Sequence, residues 1–209
     1  MMSIMRNAPT KRAESKRESQ DRILDAAARR LREEGLSGAG IAAVMRDAGL
    51  THGAFYSHFS TKDELASAAF GHAIGTGRPH WIKPSHGESW RARLTTLAKR
   101  YLTPAHRDDL ATSCAFAAVG SEAARGSEEF RGSYERELRI SLRAICGDDA
   151  DDQRFDEAIA LMALCVGGMT LSRAVADPQF SARILRSTQA AAAKIAEDQP
   201  HRGGSHGRH

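Results

Sequence analysis

Residues 48–62 combine a tight turn with a short helix of split character, Ala-Gly-Leu-Thr-His-Gly-Ala-Phe-Tyr-Ser-His-Phe-Ser-Thr-Lys. Phe55 and Phe59 lie one helical turn apart, so they are predicted to anchor this helix to a core. Most of the other side chains on the helix are small or polar and are predicted to face outward. An exposed face of this kind suits insertion into the major groove of DNA. The segment therefore predicts a helix that contacts base pairs.

Positive charge is concentrated at the same end of the chain. Residues 1–62 hold 11 Lys and Arg against 7 Asp and Glu, a net charge of +4, whereas residues 63–209 hold 19 of each. A surface that binds phosphates needs such a bias. A solvated basic tail would give the same count, so charge alone leaves both interpretations open.

Several other classes of protein are not indicated. The 209 residues contain no apolar run of about 18 or more, which predicts no membrane span, and residues 1–10 lack a signal-peptide core. Three cysteines without paired spacing fit a cytoplasmic location. No phosphate loop, nucleophile elbow or paired metal ligands occur in the sequence. We therefore expect no enzyme, no cofactor and no metal site.

Helical punctuation is abundant and strand patterns are scarce, so the chain is predicted to be all-α. Ser15 with Glu18, and Thr61 with Glu64, form capping boxes that mark two helix starts, and Gly35 marks the end of the first helix. The pattern predicts helices over about 16–34, 40–47, 51–59, 62–74, 88–102, 113–125, 128–146, 152–176 and 180–197. Glycines and prolines over 75–87 predict a break between the first four helices and the rest.

The second and third helices are separated by four residues, which is helix-turn-helix geometry. Residues 16–70 resemble the TetR/AcrR family of bacterial transcriptional regulators. The resemblance rests on the ordered set Ala-Gly-Leu … Phe-Tyr-x-His-Phe-x-x-Lys-x-x-Leu and on the first helix, with Ile23, Ala26, Ala27, Leu31 and Gly35. The family implies an N-terminal three-helix DNA-binding head and a C-terminal helical body that binds a ligand and dimerises.

This resemblance implies a domain organisation and a function. We expect a basic flexible arm over 1–15, a helix-turn-helix domain over 16–62, a helical effector-binding and dimerisation domain over 63–198, and a disordered tail over 199–209. The implied function is repression from a palindromic operator in double-stranded DNA. A small-molecule effector of unknown identity would release the operator, and no membrane would take part.

The body resembles the YxaF/LmrA and NemR-like subset of the family through residues 101–109 and 114–125. This likeness raises an alternative function, a repressor that senses electrophiles or oxidants through Cys114. If Ser113 capped the next helix, Cys114 would lie in the first helical turn, where the helix dipole lowers a thiol pKa, with Arg107 nearby. The other interpretation of Cys114 is a small buried hydrophobe.

The candidates for DNA contact are one helix cap, Thr51, four base-contacting residues, His52, Gly53, Ala54 and Ser57, and three phosphate-contacting residues, Tyr56, His58 and Lys62. Gly53 and Ala54 permit close backbone approach, and His52 can hydrogen-bond a purine. Tyr56 would otherwise be a packing residue, and His58 a helix C-cap.

Lys62 lies at the first turn of a predicted helix, where the macrodipole disfavours a cation. A bound phosphate would offset that cost, because the N–H groups at a helix start attract anions. The alternative interpretation is an ordinary exposed lysine.

The segment 158–171 is apolar nearly all round, so the helix that contains it is predicted to be buried on both sides. One side would pack on its own body and the other on a second copy, with Gly167 and Gly168 permitting close approach. A four-helix dimer bundle is what the family resemblance implies, and a central core helix in a monomer is the alternative. The candidate interface residues are Met162, Cys165, Gly168, Met169, Ile184 and Ala191.

An effector pocket is expected between the body helices. Its candidate lining consists of large apolar side chains and one thiol: Trp90, Leu94, Tyr101, Cys114, Phe116, Tyr134, Leu138 and Met162. Aromatic and Met stripes also form ordinary cores, so both interpretations stay open for each of these residues.

Overall fold

The computed structural model describes residues 11–83, 87–147 and 151–195, and every regular element in these ranges is a helix. The all-α prediction is confirmed over this part of the chain. The α-helices are α1 (Lys11–Glu34), α2 (Ile41–Asp47), α3 (Lys62–Trp81), α4 (Trp90–Tyr101), α5 (Pro104–Asp108), α6 (Ala115–Ala123), α7 (Glu128–Cys146), α8 (Asp152–Ala174) and α9 (Pro178–Ala192). Gly35–Ala39 and His52–Ser57 form 3₁₀ helices.

The described residues fall into two compact units that do not follow the chain in order. The first, the head unit, takes its residues from Met1–Gly75 and Cys114–Glu135, and the second, the body unit, from Thr76–Ser113 and Arg136–His209. α6 and the first part of α7 therefore belong with the N-terminal helices. Residues 1–10 of the predicted arm over 1–15, and the whole predicted tail over 199–209, lie outside the described residues, whereas residues 11–15 belong to α1. The predicted domain boundaries stay predictions.

The core of the head unit forms along the predicted stripe of α1. Ile23, Ala27 and Leu31 recur every fourth residue, and all three are completely buried. An aromatic cluster closes the other side of this unit, where the Phe70 ring stacks on Tyr134 with ring centroids 5.2 Å apart. Further edge contacts join Phe70 to two more rings in this cluster, Phe116 and Phe130.

α6 is joined to the end of α1 by a hydrogen bond. The Leu36 N–H donates to a carboxylate oxygen of Glu122 at 2.9 Å. Gly35 follows the last residue of α1 with φ +72°, as predicted for a helix stop, and a Cβ added there would lie 2.1 Å from the Glu122 carboxylate. The glycine is therefore required twice, by its backbone angle and by the close carboxylate.

Two predicted boundaries were wrong because local patterns were overridden. α1 is already helical at Lys11, so Ser15 lies inside the helix, and its carbonyl accepts a bond from the Ser19 hydroxyl at 2.8 Å. The residues of 11–14 are mostly good helix formers, so a capping box inside such a run does not mark a start.

α3 continues to Trp81, seven residues beyond the predicted end and through the supposed break. The Arg78 guanidinium donates to the Glu137 carboxylate at 2.6 Å and to the Ser141 hydroxyl at 3.1 Å, so the last turns of α3 are fixed to α7 within the body unit. These contacts offset the cost of the glycines and the proline in this part of the helix. A prediction from the sequence pattern alone therefore ended α3 too early.

The remaining helices lie within a few residues of their predicted positions, and capping side chains define several starts. Ser89, Thr103, Asp151 and Asp177 each accept a hydrogen bond from a backbone N–H two or three residues ahead. The short helix α5 was not predicted, although Pro104 lies in its first turn, where proline is favoured.

α8 and α9 pack closely against each other in the body unit. A Cβ added at Gly168 would lie 2.7 Å from the Thr188 side chain, and the Ser181 hydroxyl donates to the Ser172 carbonyl at 2.6 Å. By length and composition α8 is also apolar enough to span a membrane, although no membrane span is predicted from the sequence. The core helix of a soluble protein meets the same criterion, so this property does not indicate a membrane protein.

One buried guanidinium holds the end of α7. Arg93 of α4 donates to the carbonyls of Ile145 at 2.6 Å and Ala144 at 3.0 Å, and its side chain is almost fully buried. These carbonyls belong to the last turn of α7, where the helix lacks internal donors and a cation is favoured.

Replacing Arg93 by Met is expected to lower the free energy of unfolding by about 2–3 kcal/mol, because charged hydrogen bonds to buried carbonyls are lost. The matched control is Arg100→Met, an exposed arginine on the same helix, with an expected change of less than about 0.5 kcal/mol. Urea unfolding followed by circular dichroism measures both. Equal losses of unfolding free energy in the two variants would contradict the role of Arg93 at the end of α7.

Candidate nucleic-acid interface

A turn of well-defined geometry ends α2. Leu50 N–H donates to the Met45 carbonyl at 2.9 Å and Gly49 N–H to the Arg46 carbonyl at 3.0 Å. Gly49 has φ +65°, which glycine adopts without steric cost. Together these features form a Schellman motif, the usual hydrogen-bonded ending of a helix at glycine. The turn reverses the chain and directs it into the 3₁₀ helix at His52.

The 3₁₀ helix His52–Ser57, predicted as part of a longer α-helix over 51–59, is fixed by its aromatic side chains. Phe55 is completely buried and Phe59 is 4% exposed, with ring centroids 5.9 Å apart. The predicted anchor is therefore present. Because an isolated helix of this length is not stable in water, these two rings hold it in place.

The predicted DNA-contacting residues lie mostly on the opposite, exposed side. Tyr56 is 66% exposed, so it is not the packing tyrosine of the alternative interpretation. Nothing lies within 4 Å of a Cβ added at Gly53. The predicted residues that are exposed are Thr51, His52, Gly53, Tyr56, Ser57 and Lys62, whereas Ala54 and His58 are half-buried.

Thr51 occupies the N-cap position, but its side chain does not act as the predicted cap. No cap hydrogen bond forms from the hydroxyl, and the first turn is closed by Ala54 N–H, which donates to the Thr51 carbonyl at 3.1 Å. The tighter 3₁₀ turn bonds three residues back, so the backbone carbonyl satisfies this donor directly. The hydroxyl points to no partner within the described chain and is exposed.

His58 is the C-cap residue of the 3₁₀ helix, as the alternative interpretation proposed. Its backbone N–H donates to the Phe55 carbonyl at 2.9 Å. Burial and the nearby positive charge of Lys16 lower the pKa of the imidazole. The ring is therefore held neutral at physiological pH, and it supplies no positive charge for a phosphate.

Lys62 is exposed at the first turn of α3, beside the predicted cap. Glu64 N–H donates to the Thr61 hydroxyl at 3.0 Å, and Ser60 N–H donates to the Glu64 carboxylate at 2.7 Å. The cap bond of the predicted box is present, while the return bond to Glu64 comes from Ser60 rather than from Thr61. Two donors near this helix start are thus used within the chain, so an anion here would depend mainly on the Lys62 side chain.

One cation near the 3₁₀ helix was not anticipated. Lys16 on α1 lies close enough to His58 to lower the pKa of its ring. The two residues are 42 positions apart, so no short-range pattern could have joined them. Lys16 is therefore a further positive charge near His58, contributed by α1.

The candidate effector residues are divided between the units. The head unit contains Cys114, Phe116 and Tyr134, and the body unit contains Trp90, Leu94, Tyr101, Leu138 and Met162. In the head unit, burial raises the pKa of Tyr134 to about 12, with a smaller contribution from Cys114. In the body unit, Trp81 and Tyr101 pack with ring centroids 5.0 Å apart. The pocket stays a prediction.

Cys114 does not have the predicted surroundings. It is the N-cap residue of α6 rather than a first-turn residue, and the Ser113 hydroxyl donates to the Leu110 carbonyl instead of capping α6. Arg107 is paired with Asp108 at 2.6 Å and donates to the Ser181 hydroxyl at 2.8 Å. Cys114 therefore does not occupy the first-turn position on which the prediction of an activated thiol depended.

Most of the candidate interface residues lie in the core of a single chain. Met162, Cys165, Gly168 and Met169 are buried, whereas Ile184 is half-buried and Ala191 is exposed. The sequence could not distinguish the two sides of α8, because apolar residues occupy both. The large apolar residues that α8 leaves exposed are Ile159 and Leu171, and α9 adds Phe180.

Comparison with known proteins identifies the helix-turn-helix region. Residues 23–69 match the sequence model of the bacterial regulatory proteins of the tetR family. The chain carries the DNA-binding domain of the TetR family. It is therefore a DNA-binding transcriptional regulator with a helix-turn-helix head. The curated proteins contain no match to the sequence. Among the described residues, no group of three or more His, Cys, Asp or Glu side chains is placed to hold a metal ion.

Solved structures share the fold along most of the chain. A TetR transcriptional regulator from Chloroflexus aurantiacus J-10-FL has a TM-score of 0.70 at 20% identity, covering 89% of this chain and 98% of its own. The reduced form of E. coli NemR has a TM-score of 0.67 at 16% identity, covering 83% and 94%. A TetR family regulator from Cytophaga hutchinsonii has a TM-score of 0.64 at 17% identity, covering 90% and 98%. These likenesses establish the fold.

Proposed function

We propose that this TetR family regulator is a repressor that binds a palindromic operator as a homodimer and leaves it when a small molecule binds. The observation that carries the proposal is the 3₁₀ helix, buried through Phe55 and Phe59 and exposed through small and polar residues. A helix held in this way can enter a major groove without losing its shape.

Base contacts are assigned to the exposed face of this helix. His52 offers a ring donor or acceptor to a purine edge, and Ser57 offers a hydroxyl. Gly53 and Ala54 add little side-chain volume to this face, so the backbone can approach the bases closely. The Ala54 methyl suits contact with a thymine methyl. Thr51, without a cap to form, presents its hydroxyl at the same edge.

Phosphate contacts are assigned to the residues that flank the helix. Lys62 supplies a mobile positive charge, and Tyr56 supplies an exposed phenolic hydroxyl. Lys16 adds a second cation near His58. The neutral His58 contributes at most a hydrogen bond, so the salt dependence of binding should come from the lysines and arginines.

Dimerisation is assigned to the exposed sides of α8 and α9. Ile159 and Leu171 on α8 are 45% and 59% exposed, and Phe180 on α9 is 50% exposed. Large apolar side chains at this exposure favour a protein interface when they share a surface. A second copy would cover them and would supply the second recognition helix that a palindrome requires.

The effector, the location and the absence of catalysis belong to the same proposal. A small molecule would bind among the body residues, of which Leu94, Tyr101 and Met162 are buried and Trp90 and Leu138 are half-buried. The protein would act in the cytoplasm, where its DNA lies, and by binding rather than by catalysis. The family membership supports each of these points.

Gly53→Ala separates DNA contact from folding. The position has open space and an ordinary backbone angle, so the variant should fold with unchanged or up to about 1 kcal/mol higher stability. Operator binding should weaken by about 1–3 kcal/mol, because the methyl group would meet the bases. Gly132→Ala on α7, in equally open surroundings, is the control. Wild-type operator affinity in Gly53→Ala would remove this helix from the groove.

Lys62→Ala tests the phosphate contacts. It should weaken binding to every duplex to a similar extent and reduce the slope of log K against log salt by about 1. His52→Ala should instead relax the preference at one base position. Lys99→Ala, an exposed lysine on α4, is the control, and fluorescence anisotropy over a salt series measures all three. If the salt slope of Lys62→Ala stays at the wild-type value, the phosphate contact assigned to Lys62 is contradicted.

Charged substitutions on α8 test the dimer. Ile159→Glu and Leu171→Glu should convert the protein to monomers in sedimentation velocity and should weaken operator binding on the order of 100-fold or more, because two recognition helices no longer act together. Ile140→Glu, at a similarly exposed apolar position on α7, should remain dimeric. Dimers in both α8 variants would place the interface elsewhere.

A further inference from the structure

The turn before the recognition helix, His52–Ser57, is held by a single side chain from α1. The Arg22 guanidinium donates through Nε to the Ala48 carbonyl at 3.0 Å and through Nη2 to the Gly49 carbonyl at 3.1 Å, with a second Nη2 contact to Ala48. Only Leu50 and Thr51 separate the last of these carbonyls from the recognition helix.

These carbonyls are the ones that the turn itself does not use. The Schellman bonds of α2 engage the carbonyls of Met45 and Arg46, so those of Ala48 and Gly49 point away from the helix. They lie at the C-terminal end of α2, where the helix dipole favours a cation. A planar guanidinium suits two neighbouring oxygens, whereas a lysine ammonium would approach them as a single point charge.

The fit between Arg22 and the turn is close. A Cβ added at Gly49 would lie 3.2 Å from Nη2 of Arg22, so the guanidinium lies directly against the turn. Arg22 is nevertheless an exposed residue. A second arginine on α1, Arg29, faces the same part of α2 but contacts only the Asp47 carboxylate, at 3.1 Å.

We propose that Arg22 is a positioning residue for DNA recognition, which fixes the angle at which the recognition helix leaves α2 and so determines how well the protein discriminates between sequences. The inference rests on the proposed function of this helix. Arg22 acts through the turn and not by contributing charge. Lysine at this position should therefore not replace it, although the net charge is the same.

The experiment compares Arg22→Lys and Arg22→Gln with Arg29→Lys and Arg29→Gln. Asp47 keeps Arg30 as a partner at 2.9 Å when Arg29 is changed, so the control alters the same charge on the same helix without touching the turn. The probes are the duplex that the wild-type protein selects from a random-sequence pool and a scrambled duplex of equal composition, each titrated over a salt series.

We expect Arg22→Lys to lose on the order of tenfold in discrimination between the two duplexes, about 1.4 kcal/mol. Its salt slope and its affinity for the scrambled duplex should stay at wild-type values. Arg22→Gln should lose the same discrimination, and both Arg29 variants should retain it. Wild-type discrimination in Arg22→Lys, or an equal loss in Arg29→Lys, would overturn the proposal, and the first result would make Arg22 a simple charge contact.

A second measurement does not depend on DNA. Amide hydrogen exchange at Leu50 and along 54–59 should be faster in Arg22→Lys than in the wild-type protein, and unchanged in Arg29→Lys, because only the first substitution loosens the turn. Unchanged exchange in Arg22→Lys would overturn the proposal. A wild-type protein that selects no duplex would contradict the proposed function instead, and the exchange comparison would still decide the role of Arg22.

Discussion

A recognition helix of six residues cannot maintain its own shape, so the rest of the head unit has to hold it. Two buried rings, Phe55 and Phe59, fix one side of it to the core, and the turn at Gly49 fixes its start. The capping box at Thr61 and Glu64 fixes the start of the next helix. What remains exposed between these points is a short row of small and polar groups, which is what a major groove accepts.

The same constraint explains which parts of the molecule the sequence predicts well. The Phe55 and Phe59 anchor and the second capping box are contacts between near neighbours, so spacing alone reveals them. The extension of α3 depends on Arg78 meeting Glu137, 59 positions away, and no local pattern weighs that ion pair against the unfavourable glycines and proline. A long-range contact decided this error.

The candidate DNA-contacting site also combines features set by neighbouring residues with features set by distant ones. Exposure of His52, Gly53 and Tyr56 follows from the short spacing of the anchors and was predictable. The effect of Lys16 on His58 and the lowered pKa of that ring depend on how distant residues pack, which the sequence does not specify. On α8 the apolar pattern covers both sides. Only the packed structure distinguishes buried Met169 from exposed Leu171.

The composition of the head unit bears on how a ligand would act. Cys114, Phe116 and Tyr134, three of the eight candidate effector residues, share a unit with the recognition helix. Within that unit Glu122 of α6 is hydrogen-bonded to Leu36, directly after α1. A change at these positions would therefore act inside the unit that binds DNA. Such an effect needs no transmission through the rest of the body.

The central claim is that two copies of one short helix bind DNA together. Ethylation-interference footprinting of the wild-type protein on its selected duplex tests this most directly. We expect two symmetric sets of phosphates whose ethylation prevents binding, centred about 34 Å apart or a multiple of that distance. A single set without a two-fold partner would contradict the account.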